Sequence, residues 1–69
     1  MNKLQWQEVD ENKKYNVYLN ENFIGIMNRD SETGSWALQL PDYNICKVDQ
    51  YRNDLMEYAE NKLCRKGLI

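Results

Sequence analysis

The hydrophobic period of this chain changes at its single proline, Pro41. Before Pro41 the apolar residues alternate with polar ones: Tyr15, Val17 and Leu19, then Ile24 and Ile26, then Trp36, Leu38 and Leu40. After it they recur every three or four residues, at Val48, Tyr51, Leu55, Ala59 and Leu63. A period of two buries one face of a strand, and a period near 3.6 buries one stripe of a helix. The pattern predicts an α+β fold: a three- to four-stranded antiparallel meander packed on one face by a single C-terminal helix. One helix covers one sheet face, so the other is left open to a partner.

The strands are expected at about 4–9, 14–20, 23–28 and 35–40, and the helix at about 48–66. Asp10-Glu11-Asn12-Lys13, Asn20-Glu21-Asn22 and the polar stretch 29–34 are rich in turn-forming residues, and such short connections favour antiparallel neighbours. Gly25 marks a bulge or a close backbone approach within its strand. Residues 43–47 read as a linker with room for a turn. Acidic residues early in the helix and Lys62, Arg65 and Lys66 late in it complement the helix dipole, and Gly67 suits the position that ends it. The 69 residues are expected to form one domain, 1–69.

On this reading Trp36, Leu38, Leu40, Val17, Leu19, Ile24 and Ile26 face the helix. Asn16, Tyr18, Gly25, Met27, Ala37 and Gln39 form the open face. A slip of one residue in the middle strand would exchange its two sets, and Phe23 and Met27 leave its parity open.

Several functions are disfavoured by what the chain lacks. It has no histidine, which removes the commonest general base and metal ligand. A Ser-His or Cys-His nucleophile cannot be built within one chain. The two cysteines, Cys46 and Cys64, are eighteen positions apart and offer no zinc-type spacing; they read as free thiols. Asp30-Ser31-Glu32-Thr33-Gly34 is like the start of a calcium loop, but Pro41 stands where the closing glutamate belongs. Glu57 and Glu60 fall on the wet side of the helix. No enzyme activity, cofactor or metal is expected. No apolar leader and no membrane-length run are seen, so the expected location is the cytoplasm.

A three-stranded antiparallel sheet followed by one helix, over 14–63, is similar in topology to phage-integrase arm-binding and AP2-type domains. That resemblance implies an open sheet lying in a DNA major groove. Those sheets carry several Arg and Lys, whereas here the open face offers Tyr18, Asn16 and Gln39 with Arg29 at its rim. The net charge of −2 and pI near 5.0 also lack the basic surplus of a phosphate-binding module. A nucleic-acid module is therefore the alternative reading, and it requires Lys3, Lys13, Lys14, Arg29 and Lys47 to converge.

The favoured expectation is a small non-catalytic protein that occupies a surface of another protein, of adaptor or inhibitor type. Phages and mobile elements encode proteins of this size and plainness. Its candidate contacts are Tyr18, Met27, Arg29 and Gln39, with Tyr43 beside them, because aromatic, Met and Arg side chains among amides suit an interface centre. A homodimer through the uncovered face or an edge stays open, since a core this small gains from further burial.

Overall fold

The computed structural model describes residues 4–69. Five strands pair in chain order as one antiparallel sheet: β1 (Leu4–Asp10), β2 (Lys14–Leu19), β3 (Asn22–Arg29), β4 (Trp36–Leu40) and β5 (Ile45–Asp49). A single helix, α1 (Arg52–Arg65), follows and packs on β4 and β5. The α+β architecture is as expected, with two changes: the meander has five strands, and the helix begins later.

Residues 45–49 are the fifth strand, where a linker is expected from sequence. Pro41–Tyr43 form a 3₁₀ turn, and Asn44 takes a left-handed conformation (φ 56°) while its N–H bonds the Pro41 carbonyl at 3.2 Å. The chain thereby reverses, and Ile45 pairs back with Leu40. Val48 belongs to β5 and is exposed, and Tyr51 is the exposed residue before the helix; neither is on the helix's buried stripe. That stripe is Leu55, Ala59 and Leu63, a spacing of four that stacks one face.

The helix ends as Gly67 allows. Gly67 has φ 77°, its N–H bonds the Cys64 carbonyl at 3.0 Å, and the Leu68 N–H bonds the Leu63 carbonyl at 2.9 Å. This is the Schellman pattern, and Leu68 completes it by packing on the core.

The β2–β3 hairpin turns through Asn20 and Glu21, both at positive φ, which matches the twist of the flanking strands. The middle strand contains a bulge. Val17 pairs with Gly25 but Tyr18 pairs with Phe23, so one residue of β3 is extra. Ile24 and Gly25 both turn toward the helix side, and the alternation resumes shifted by one. Gly25 is obligatory there: a Cβ would run into the Gln39 carbonyl oxygen and stand 2.6 Å from Leu40 Cδ2.

The shift corrects the expected faces. Met27 is fully buried and belongs to the core, while Ile26 lies on the open face, half-buried. The core gathers Leu4, Val17, Leu19, Ile24, Met27, Trp36, Leu38, Leu40 and Ile45 from the sheet with Leu55, Ala59 and Leu63 from the helix.

Candidate functional site

The register assigns the open face row by row. Opposed residues of an antiparallel pair share a face. Gln5, Tyr18 and Phe23 form one row; Gln7, Asn16, Ile26, Gln39 and Cys46 form the next; Lys14, Asn28, Ala37 and Val48 form the third. Two of the apolar members are exposed, and Tyr18, Ile26 and Ala37 are half-buried. Phe23 is 57% exposed and Val48 64%. Tyr18 and Phe23 meet edge to face, with centroids 5.8 Å apart and planes at 69°. Beside Tyr18 a shallow groove of about 650 Å³ runs along β1, lined by Leu4, Gln5, Trp6, Gln7 and Glu21.

Charge is nearly missing from this face. The chain has nine basic and eleven acidic residues, yet the rows above include only Lys14, at a corner, with Asp10 opposite it on β1. The remaining face is amide, aromatic, aliphatic and thiol. Interface centres are depleted of charge in this manner, and charged rims surround them.

The five sequence-predicted contacts do not come together. Tyr18 and Gln39 share the open face. Met27 is in the core. Arg29 is exposed at the end of β3, opposite Trp36 and hence on the helix side. Tyr43 lies in the 3₁₀ turn, half-buried against the core. Phe23, Ile26 and Val48 take the vacated places. Gly25 carries the signal for the first two: a bulge there puts Phe23 and Met27 on opposite faces. Nothing in the local pattern signals Val48, because it falls in step with the helical spacing of Tyr51 and Leu55.

The basic residues do not form one patch. Lys13, Lys14 and Arg29 line a second groove of about 480 Å³ with Asp10, Asn28 and Ser31. Lys47 is on the helix side, with Nζ 4.7 Å from the centre of the Tyr58 ring. Lys3 lies outside the described residues.

The helix side carries its own polar cluster. The Arg52 guanidinium donates to the Tyr15 hydroxyl at 2.6 Å, and that hydroxyl donates to Glu8 Oε2 at 3.0 Å. Glu8 Oε2 also accepts the Asn12 N–H at 3.1 Å. That backbone donor, then the Tyr15 hydroxyl and the Arg52 charge, hold the Glu8 carboxyl below its ordinary range. Partial burial and the Glu8 acceptor push the Tyr15 phenol up. These contacts tie β1 and β2 to the start of the helix, and their polar groups are mutually occupied.

Among the described residues no group of three or more His, Cys, Asp or Glu side chains is arranged to hold a metal ion. Cys46 and Cys64 are both free and exposed. No helix among the described residues is long and apolar enough to cross a membrane. Comparison with protein-family models, curated proteins and solved structures finds no match, so function has to be read from the surface itself.

Proposed function

We propose that this chain is a small non-catalytic protein-binding module of the cytoplasm, and that it acts by laying its open sheet face against the surface of a protein chain. The observation that supports this reading is the set of uncovered aromatic and aliphatic side chains, Phe23, Tyr18, Ile26 and Val48, spread over three rows among amides, with charge only at the margins of the face. Tyr and Phe bring large contact area for little rotamer entropy, and the surrounding Gln5, Gln7, Asn16, Asn28 and Gln39 supply donors and acceptors without the desolvation cost of ions. The absence of histidine from the chain accords with a role in binding rather than catalysis.

Affinity capture from the native cell, with and without nuclease, tests it. Tyr18→Ala is expected to weaken capture by about tenfold or more, and Gln39→Glu to weaken it as well, with folded spectra retained. Capture that is lost on nuclease treatment and falls steeply with salt would instead favour the nucleic-acid alternative.

A further inference from the structure

Resting on that reading, we infer that the partner this face fits is a second copy of the chain, packed sheet against sheet about a two-fold axis.

The first ground is electrostatic. A two-fold interface sets each surface against itself, so any net charge on it is repelled by its copy. Among the described residues the central row of the open face, Gln7, Asn16, Ile26, Gln39 and Cys46, escapes this, and Glu21 stands at the margin of the face beside Tyr18. The inner rows of the face have no ion, and its corner holds one residue of each sign, Lys14 and Asp10. By contrast the helix side would bury ions of both signs, Asp54, Glu57, Glu60, Arg65 and the C-cap Lys66, each at a cost in desolvation.

The second ground is area. Four inter-strand spacings of about 4.8 Å and five residues of about 3.3 Å give a plan of roughly 19 Å by 17 Å. Allowing for the protruding side chains, each copy would bury about 550 Å², or about 1,100 Å² in total, just over the size a specific interface needs. Sheets pack about 10 Å apart with strands within about 30°, a separation that Phe23, Ile26 and Val48 can fill.

The sheet has two edge strands, and neither offers an equal alternative: β5 is five residues long and carries Lys47 and Asp49. β1 is irregular between Glu8 and Asp10, Val9 stands out of register, and both acidic residues flank it, all devices that discourage edge-to-edge pairing.

Sedimentation velocity on the whole chain, from about 5 µM to about 500 µM, reads the outcome directly. The inference predicts a monomer–dimer equilibrium within that range, as for a weak interface at the low end of the size scale. Val48→Glu, at an exposed position, should weaken dimerisation at least about tenfold with an unchanged far-ultraviolet spectrum, and Phe23→Glu serves if Val48→Glu does not fold. Arg65→Glu, on the helix, should leave the dimer intact. Raising salt should not dissociate it, because no ion pair across the inner rows holds it. A monomer throughout, a dimer indifferent to both face variants, or a dimer dissolved by salt would overturn the inference. A monomer that still captures a protein in a Tyr18-dependent way would overturn self-pairing alone; loss of that capture too would overturn the binding reading with it.

Discussion

Each face of the sheet carries an aromatic pair, and the two pairs have opposite fates. On the helix side Tyr15 and Trp36 stand 5.9 Å apart, and the Arg52 guanidinium lies over both rings, 5.4 Å from one and 6.0 Å from the other. Trp36 is buried, and the Tyr15 hydroxyl has a donor and an acceptor. On the open side Tyr18 and Phe23 have nearly the same separation and no cover, and Phe23 is more than half exposed. Among the described residues there is one α-helix, and it is spent on one face. What distinguishes the core from the open face here is therefore the presence of a lid, more than the residues that make up each face.

The sharpest way to break this comparison lies in two neighbours of β3. Met27 is fully buried and Ile26 half-buried on the other face. Met27→Ala should cost about 3 kcal/mol through lost burial and the cavity left behind, and Ile26→Ala about 1 kcal/mol. Urea unfolding monitored by tryptophan fluorescence measures both. If Ile26→Ala proved the more damaging, β3 would be regular, the faces would be reversed, and Ile26 would leave the proposed contact surface.

That pair also shows where the sequence can be read and where it cannot. Strands β2 and β4 alternate cleanly, so Val17, Leu19, Trp36, Leu38 and Leu40 fall on the buried side as their period demands, and Tyr18 and Gln39 on the other. In β3 the bulge changes parity midway, and parity summed across such a strand misplaces everything beyond it. Gly25 announces a backbone irregularity but does not say which residue is extra; only the pairing with Val17 and Tyr18 of β2 decides that. β5 is obscured differently. Its helix-side positions beyond Ile45 are Lys47 and Asp49, at the edge of helix cover, so the apolar alternation that marks a strand is missing. Val48 and Tyr51 then counterfeit a helical spacing with Leu55. Tyr43 and Arg29 are polar-tipped residues in or beside turns, where local pattern carries no information about which face a side chain meets.

A smaller effect tests the lid itself. Arg52→Ala removes the 2.6 Å bond to Tyr15 and the cation above both rings, and should cost about 2 kcal/mol, since a charge-assisted bond and a half-exposed cation–π contact each contribute about 1 kcal/mol or slightly more. Arg52→Lys keeps the charge but loses the planar fork, and should recover only part of the loss. Equality of Arg52→Ala with wild type in denaturant midpoint would mean that the helix start is held by the burial of Leu55 alone.

The smallest effect is a pH dependence confined to the helix side. Glu8 titrates low in the folded chain because the Asn12 N–H, the Tyr15 hydroxyl and the Arg52 charge all favour its ionised form. A group whose folded pKa is depressed contributes stability that is fully present above its ordinary value, here 4.5, and lost as pH falls through the lower folded value. Tyr15 runs the other way. Its phenol is raised by burial and by donating to Glu8, so its contribution is present below the ordinary 10.0 and lost as pH rises through the raised value. The Tyr15–Glu8 hydrogen bond thus adds to both limbs, behind the Asn12 N–H on the acid side and burial on the alkaline side. Glu8→Gln abolishes the acid limb, because a neutral amide accepts the Asn12 N–H at every pH. Its denaturant midpoint should lie below that of wild type at pH 7, and the gap should close as pH drops below about 4.5. A gap that stays constant to low pH would show that the Glu8 carboxylate gains nothing from its donors. The helix-side cluster would then be as loosely held as the uncovered pair on the opposite face.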